Sequence, residues 1–322
     1  MGMIMPLSAK ENLWRALRHE NPEYVPYSAE GVLRLVDHRG RKPPRAGIDE
    51  WGVIWAPLPE SYAAAASEPA ESYAIAHPAR SCAELLTRSF PNPSDPSLFA
   101  GLLAGIDKDR SLIIGQHPAG PLDRLCSLLD MPTALLALVS EPEAARAVLE
   151  RIADYHVGIA RGYLAAGVEA GFLADDYAGH DGPFLRPALW QKLILPGLRR
   201  IIAAYRDAGA AIFFHTCGRA EAFIPDLVDA GVTVFNLQSS ACDLLALKAR
   251  FGRRIAFYGG VANELMMTGM PEEVQAAARA AIAGLGQEGG LILAPDQPLA
   301  FPPENEAALV ETARRYGRYP SG

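Results

Sequence analysis

The segment Ala210–Leu237, which reads AAIFFHTCGRAEAFIPDLVDAGVTVFNL, decides the fold. It begins and ends with short apolar runs, Ala210–His215 and Val232–Leu237, of the kind that form buried parallel strands. Between them, Ala220–Ala230 is predicted to be helical and is followed by Gly231, a residue typical of a helix C-terminus. The segment therefore predicts a strand–helix–strand unit with the right-handed connection of parallel sheets.

The same alternation recurs along the chain and is clearest from residue 168 onward. About eight strands separated by helices favour a closed (β/α)8 (TIM) barrel. We expect one domain over residues 1–322, with an N-terminal extension and surface excursions within about residues 1–110. The alternative, an open doubly wound sheet, favours a Gly-rich turn after its first strand, and the sequence has none there. The other predicted strands are Tyr24–Ser28, Trp51–Ala56 (alternatively a hairpin arm), Ser111–Gln116, Gly171–Asp175, Arg254–Tyr258 and Gly290–Ala294.

Capping residues and prolines predict where the helices begin and end. Ser8 is suited to cap a first helix because Glu11 follows three residues later. Pro196 is expected to kink or divide the helical stretch in which it lies. Besides Ala220–Ala230, the predicted helices are Lys10–Arg18, Glu141–Ala166, Pro187–Ala208, Pro271–Leu285 and Pro303–Tyr316.

The composition excludes several classes of protein. Thirty Lys and Arg against 37 Asp and Glu give a net charge of −7, which argues against a nucleic-acid binder. Half of the residues are hydrophobic, which argues against a disordered chain. Charged residues or glycines interrupt every apolar stretch before it reaches the length of a membrane span. Four cysteines are too few for a disulfide scaffold, so we expect a cytoplasmic enzyme that acts on a small molecule.

Polar residues follow the predicted strands, where a TIM barrel has its active site. Those without charge are expected to bind the substrate through hydrogen bonds or through close approach of the backbone. These candidate substrate-binding residues are Tyr177, Asn236, Gln238, Gly259, Gly260 and Gln297.

The pattern His215-x-Cys217 is the strongest candidate for a metal site. An imidazole and a thiolate one residue apart, at a strand end, suit Zn²⁺. The alternative is a core histidine and a buried thiol. Because zinc needs at least three protein ligands, we consider Cys242 and Asp296 as further ligands, with Asp175 and Glu304 as other candidates.

The adjacent carboxylates Asp175 and Asp176 form a second candidate. At a strand end they are able to bind a cation or to act as acid and base if their pKa values differ. With His215 they make up the predicted catalytic residues. The alternative is a helix cap with a solvated neighbour.

A set of short motifs resembles the uroporphyrinogen decarboxylase superfamily, which also contains zinc-dependent, corrinoid-linked methyltransferases. The resemblance covers nearly the whole chain and implies the same (β/α)8 barrel. The motifs are Asp175-Asp176, HTCG (His215–Gly218), IPDLVDAGVTVFNLQ (Ile224–Gln238), LKARFG (Leu247–Gly252), FYGGV (Phe257–Val261), MPEEV (Met270–Val274), LILAP (Leu291–Pro295), PPEN (Pro302–Asn305), Asp49-Glu50-Trp51-Gly52 and Gly120-Pro121-Leu122-Asp123.

Two departures from the family pattern decide the branch. True decarboxylases have an N-terminal Arg-Gln-Ala-Gly-Arg segment that grips substrate carboxylates, whereas Tyr27–Gly31 here reads YSAEG. In the methyltransferase branch His215-x-Cys217 would hold zinc. The third ligand of that branch is a cysteine near the last strand, where this chain has Leu293–Asp296 and no cysteine. The resemblance is therefore closer to the methyltransferases, with a changed or missing third ligand.

The resemblance implies a methyltransferase. It would move a methyl group between a corrinoid-bound or methoxylated donor and a thiol or pterin acceptor, such as tetrahydrofolate, with zinc assistance. The corrinoid would arrive on a separate protein. The alternatives are a decarboxylase-type lyase acting on a carboxylated substrate, and a non-catalytic tetrapyrrole- or corrinoid-binding protein.

Overall fold

The structure, a computed structural model, describes residues 7–39, 46–57 and 72–320. It is a mixed α/β protein. The helices of this part of the chain are α1 (Ala9–Arg18), α2 (Cys82–Thr87), α3 (Pro121–Leu129), α4 (Met131–Ser140), α5 (Pro142–Ala166), α6 (Pro187–Leu193), α7 (Leu195–Arg206), α8 (Ile224–Ala230), α9 (Leu244–Phe251), α10 (Asn263–Thr268), α11 (Pro271–Leu285) and α12 (Pro303–Tyr316). The strands are β1 (Leu33–Val36), β2 (Gly47–Ile48), β3 (Ile54–Pro57), β4 (Ser72–Ala76), β5 (Leu112–His117), β6 (Ala170–Ala174), β7 (Ala178–Gly179), β8 (Gly182–Pro183), β9 (Ala211–Thr216), β10 (Val234–Leu237), β11 (Ala256–Val261) and β12 (Leu291–Pro295).

The chain forms two compact units, and each is described by itself. The terminal unit comprises Met1–Arg34, Gly105–Ile114 and Val232–Gly322. The central unit comprises Leu35–Ala104 and Gly115–Gly231. Parts of the predicted N-terminal extension and excursions, residues 1–6, 40–45 and 58–71, lie outside the described residues.

In the terminal unit, three parallel strands pair in the order β10, β11, β12. Phe257 of β11 lies opposite Phe235 on one side and Leu291 on the other. All three side chains are buried, as expected for strands whose apolar runs are almost continuous. Helices α11 and α12 pack against each other, and α11 also packs on β11 and β12.

In the central unit, β6 and β9 pair in parallel, with Ala174 opposite His215 at the carboxyl end. The long helix α5 packs on α7 and ends at Gly167, whose φ of 93° places it in the left-handed region. A separate antiparallel sheet contains β2, β3 and β4. The interpretation of Trp51–Ala56 as a hairpin arm is therefore the better one.

Two sequence-based assignments need correction, at Tyr24–Ser28 and at Gly259 and Gly260. Tyr24–Ser28 contains only isolated bridges at Tyr24 and Tyr27, because Pro26 lacks an N–H and a 3₁₀ turn begins at Ser28. The stretch Pro187–Ala208 is divided at Pro196 as expected, into helices α6 and α7, which meet just before that proline. Gly259 and Gly260 lie within β11 and not in a turn after it.

The parallel strands agree with the predicted α/β class, and closure of eight strands into a barrel stays a prediction. Within the described residues, no helix is long and apolar enough to cross a bilayer.

Candidate metal centre

Three side chains of the central unit converge at the carboxyl ends of β6 and β9. The ligand atoms of Asp176, His215 and Cys217 all lie within 4.8 Å of one another. His215 Nε2 is 3.2 Å from Cys217 Sγ. His215 is nearly buried, whereas Asp176 and Cys217 are partly exposed. The sequence predicted the approach of His215 to Cys217, and it gave Asp176 a role in cation binding or acid–base chemistry without naming it among the zinc ligands.

The turn after β9 keeps Cys217 in place. The Cys217 N–H donates to Asp176 Oδ1 over 2.7 Å. The next residue, Gly218, has φ of 69°, and a Cβ atom there would lie 2.4 Å from the carbonyl oxygens of both Ala178 and Gly179. Only glycine permits this approach, so the neighbouring β7–β8 hairpin explains why the last residue of HTCG is a glycine.

Asp175 differs sharply from Asp176. It is fully buried, and its carboxylate accepts the N–H groups of Leu122 (3.2 Å) and Asp123 (2.8 Å) and the hydroxyl of Tyr177 (2.7 Å). Leu122 and Asp123 are in the first turn of α3, so Asp175 caps that helix. The helix-cap alternative therefore describes Asp175, although the helix is one that precedes it by some fifty residues.

Tyr177, predicted to bind substrate, is fully buried with its hydroxyl committed to Asp175. Burial raises its pKa well above the usual value, and the charge of Asp175 adds to this effect. Tyr177 therefore stabilises the carboxylate of Asp175 through this hydrogen bond and does not line an open site.

Asp123 is a site residue that sequence reasoning missed. Its Oδ2 accepts the N–H of Asp176 over 3.1 Å. Burial, together with the charges of Asp175 and Asp176, raises the pKa of Asp123 well above its usual value. Burial also raises the pKa of Asp175, against the opposing effect of the Asp123 N–H. The only signal in the sequence is the motif Gly120–Asp123, which was noted for its family resemblance alone.

The terminal unit contains a separate polar cluster around Asp296. Asn236 Nδ2 donates to the carbonyl oxygens of Tyr258 (2.6 Å) and Asp296 (2.8 Å). The N–H and hydroxyl of Ser239 both donate to Asp296 Oδ2, over 2.7 and 2.8 Å. Burial raises the pKa of Asp296 to about 6, while the bonds from Ser239 oppose the rise. A Cβ atom on Gly259 would lie 3.4 Å from Asp296 Oδ1 and 3.6 Å from Asn236 Nδ2, which are ordinary van der Waals contacts.

The remaining candidates of this unit are placed differently. Gly260 faces α11, where a Cβ would lie 3.2 Å from Ala281, so its predicted role in substrate binding gives way to helix packing. The Gln297 N–H donates to Asn263 Oδ1 over 3.0 Å. The carbonyl oxygen of Gln238 accepts the N–H of Cys242. Cys242 is buried and lines a cavity of about 390 Å³ between helices α9, α10 and α11. The metal-binding roles of Cys242 and Asp296 stay predictions.

Comparison with known proteins extends these observations. The family model described as uroporphyrinogen decarboxylase (URO-D) matches residues 103–316. The methylcobamide:CoM methyltransferase MtaA of Methanosarcina barkeri is 22% identical over 201 residues, which cover 61% of this chain and 56% of that protein. The chain thus matches little more than half the length of this relative.

Among solved structures, a methyltransferase from Methanosarcina mazei superposes with a TM-score of 0.68 at 18% identity, over 96% of this chain and 99% of that one. At this identity the likeness shows the fold alone. The family resemblance seen in the sequence is confirmed, since the matched model spans well over half of the 322 residues and the relative MtaA is a methyltransferase. The chain belongs to the uroporphyrinogen decarboxylase family.

Proposed function

We propose that this protein is a zinc-assisted methyltransferase that moves a methyl group between a corrinoid-bound or methoxylated donor and a thiol or pterin acceptor. The convergence of Asp176, His215 and Cys217 within 4.8 Å carries the proposal. The names of the two relatives support the reaction class. With this function we also infer a single (β/α)8 barrel domain over residues 1–322.

The donor set fits zinc. Zinc bonds of roughly 2.0–2.3 Å in a tetrahedral arrangement place the ligand atoms roughly 3–4 Å apart. The 3.2 Å between His215 Nε2 and Cys217 Sγ agrees with this spacing. Three protein ligands leave one position for a substrate, as in catalytic zinc sites. When bound, zinc would lower the pKa of an acceptor thiol, so that a thiolate exists at neutral pH.

The side chains of this site have separate tasks in the proposed reaction. To hold zinc, Cys217 Sγ would release its proton to solvent as a thiolate, and His215 Nε2, 3.2 Å away, would stay unprotonated so that its lone pair is available to the ion. Asp176 Oδ1 holds the Cys217 N–H, and its partly exposed carboxylate is suited to accept the proton of an acceptor thiol. The acceptor sulfur then forms a bond to the methyl carbon, while the electron pair of the broken bond stays on the donor.

The partners follow from the same chemistry. A corrinoid donor would be carried by a separate protein, and tetrahydrofolate or a small thiol would be the co-substrate. The name of the M. barkeri relative joins a methylcobamide to CoM, which favours the thiol as the first acceptor to test. A thiolate ligand also requires a reducing compartment such as the cytoplasm.

Metal binding is the direct test. We expect purified protein, stripped with chelator and titrated with Zn²⁺ by calorimetry, to bind one ion per chain. His215→Ala and Cys217→Ser should weaken binding at least about 100-fold, because each removes a ligand. His180→Ala and Cys126→Ser, in the same unit but outside the cluster, serve as matched controls and should bind as the unmodified protein does. Binding that is unchanged in both ligand variants would refute the metal site.

Two further variants test the remaining ligand candidates. If Asp296 or Cys242 contributes a ligand, Asp296→Asn or Cys242→Ser should weaken zinc binding about 10–100-fold. If neither variant changes the affinity, neither Asp296 nor Cys242 is a zinc ligand.

Activity is tested with methylcobalamin and either 2-mercaptoethanesulfonate or tetrahydrofolate, followed by the absorbance of demethylated cobalamin. Cys217→Ser should lower the rate at least about 100-fold if zinc activates the acceptor. Carbon dioxide release from uroporphyrinogen would instead identify a lyase. Tight corrinoid binding with neither reaction would identify a binding protein.

A further inference from the structure

The hydrogen bonds behind the candidate metal centre point to a residue that sets its geometry without touching the metal. We propose that Asp123 is a positioning residue, which holds the backbone of Asp176 so that the Asp176 carboxylate stays beside His215 and Cys217. The inference rests on the proposed function for its effect on the metal, but not for the hydrogen bonds themselves.

Asp176 is held from two sides. Its N–H donates to Asp123 Oδ2 over 3.1 Å, and its Oδ1 accepts the Cys217 N–H over 2.7 Å. The two hydrogen bonds form a chain that links Asp123 to Asp176 and Asp176 to Cys217. A change at Asp123 therefore reaches two of the three ligand residues, although Asp123 is outside the ligand group.

Asp123 is itself fixed by its place in the first turn of α3. Its own N–H donates to Asp175 Oδ1 over 2.8 Å. One turn earlier, the Gly120 N–H donates to the carbonyl of Ala174 over 2.6 Å, and a Cβ on Gly120 would lie 2.5 Å from Asp175 Cβ. The start of α3 is therefore fastened to the end of β6 at several points, and Asp123 has little freedom to follow Asp176 if that loop moves.

A buried ion pair anchors the same helix from the other side. Arg124 Nη1 is 3.1 Å from Asp49 Oδ2, and both side chains are at most 7% exposed. Asp49 also accepts the N–H groups of Trp51 and Val53 and the indole N–H of Trp55. The motif Asp49–Gly52 thus contributes Asp49, which holds Arg124, the residue next to Asp123.

A charged carboxylate at position 123 is costly, because the side chain is buried and the carboxyl groups of Asp175 and Asp176 lie nearby. Packing alone would favour a neutral side chain. The Asp176 N–H needs an acceptor oxygen, since a partly buried amide without a hydrogen-bond partner destabilises the fold. Local conflicts of this kind are typical of functional sites.

Two variants separate positioning from packing. Asp123→Ala removes the acceptor, and Asp123→Asn keeps an oxygen of the same reach. In metal-free protein we expect Asp123→Ala to speed hydrogen exchange of the Asp176 and Cys217 amides about 10-fold or more, because each loses about 1.4 kcal/mol or more of protection. Zinc affinity should fall about 10–100-fold, as it does when a residue that orients a ligand is removed. Asp123→Asn should restore both to within about 3-fold.

Asp130→Ala is the matched control. Asp130 also accepts a first-turn N–H, that of Thr133 over 2.8 Å, but it caps α4 and does not contact the cluster. Asp130→Ala should lower the stability of the fold, because α4 loses its cap, and leave both readouts unchanged. If Asp123→Ala does not fold, Asp123→Glu, which displaces the acceptor by one methylene, should weaken zinc binding in folded protein.

Unchanged exchange in Asp123→Ala, or an Asp123→Asn variant as impaired as Asp123→Ala, would overturn the positioning role. If the unmodified protein binds no zinc, the metal centre is refuted, but the exchange rates in metal-free protein still decide whether Asp123 positions Asp176.

Discussion

The loop that follows β6 in the central unit and the loop that follows β12 in the terminal unit both carry aspartates just past a parallel strand. In the first loop, Asp175 caps the start of α3 and Asp176 joins His215 and Cys217. In the second loop, Asp296 accepts two bonds from Ser239 and lies next to Asn236. The same sequence signal thus produces a helix cap, a ligand candidate and a loop anchor.

The difference arises from what the neighbouring segments donate. Asp175 meets the free N–H groups of a helix N-terminus, which bind carboxylates strongly. Asp176 meets an imidazole and a thiol, whereas Asp296 accepts neutral hydrogen-bond donors, the N–H and hydroxyl of Ser239. The position just past a strand determines where the carboxylate lies, and the groups donated by the adjoining loops determine its chemistry.

The largest effect is expected at the glycine of the central site. Gly218→Ala would strain a left-handed residue and press a Cβ against two backbone carbonyl oxygens at 2.4 Å. We expect a loss of about 3 kcal/mol or more in the free energy of unfolding, measured with urea. Zinc binding should fall as well, because Cys217 adjoins the displaced turn.

Two other glycines sharpen this prediction. Gly209 has a similar φ of 73° but nothing within 4 Å of an added Cβ, so Gly209→Ala should cost only about 1–2 kcal/mol. In the terminal cluster, a Cβ on Gly259 would meet Asp296 Oδ1 at 3.4 Å, an ordinary contact. Equal losses at Gly218 and Gly209 would show that the approach of the hairpin carbonyls does not matter.

Local signals in the sequence account for much of the fold. Helices α11 and α12 have the predicted bounds because Pro271 and Pro303 mark their first turns. Helix α5 ends at the predicted Ala166 for a similar local reason, because Gly167 adopts the left-handed conformation of a helix C-terminus. By contrast, the capping of α3 by the Asp175 carboxylate was not predicted, because Asp175 follows the first turn of that helix by some fifty residues and no local pattern connects the two.

The residues of the candidate site also separate into those that local sequence predicts and those that it does not. His215 and Cys217 are two residues apart at one strand end, so the sequence alone predicts that they meet. Asp176 joins them only because β6 pairs with β9 in the observed register. Asp123 acts through the backbone of Asp176, and a side chain that binds a distant backbone amide has no signature in a single sequence.

The next effect concerns pH and buried imidazoles of the central unit. His117 Nε2 is 2.7 Å from the Tyr205 hydroxyl, and His117 Nδ1 is 3.0 Å from His156 Nδ1. Burial lowers the pKa of His117 to about 3 and that of His156 well below its usual value. Both rings are neutral in the fold and bind protons near pH 6.5 when the chain unfolds. The contribution of these two histidines to the free energy of unfolding is therefore fully present above about pH 6.5 and is lost as the pH drops below that value.

This pair should contribute about 2 kcal/mol per histidine to the loss of stability between pH 7 and pH 5. His156→Gln should reduce the loss by about that amount, whatever its effect at pH 7. His180→Gln, at an exposed position, is the control and should leave the pH dependence unchanged. A His156→Gln protein with the same pH dependence as the original would contradict the assignment.

The smallest effect is expected in the terminal cluster, and its pH dependence has the opposite sign. The raised pKa of Asp296, about 6, means that the folded chain binds this proton more tightly than the unfolded chain, so Asp296 favours folding more at pH 5 than at pH 8. Ser239 donates to the charged carboxylate and opposes the rise, so its contribution is greatest above pH 6. Ser239→Ala should therefore cost about 1.5 kcal/mol at pH 8 and less at pH 5, measured by urea unfolding in chelator. The exposed neighbour Ser240→Ala is the control, and equal losses from Ser239→Ala at both pH values would show that the hydroxyl does not sense the charge of Asp296.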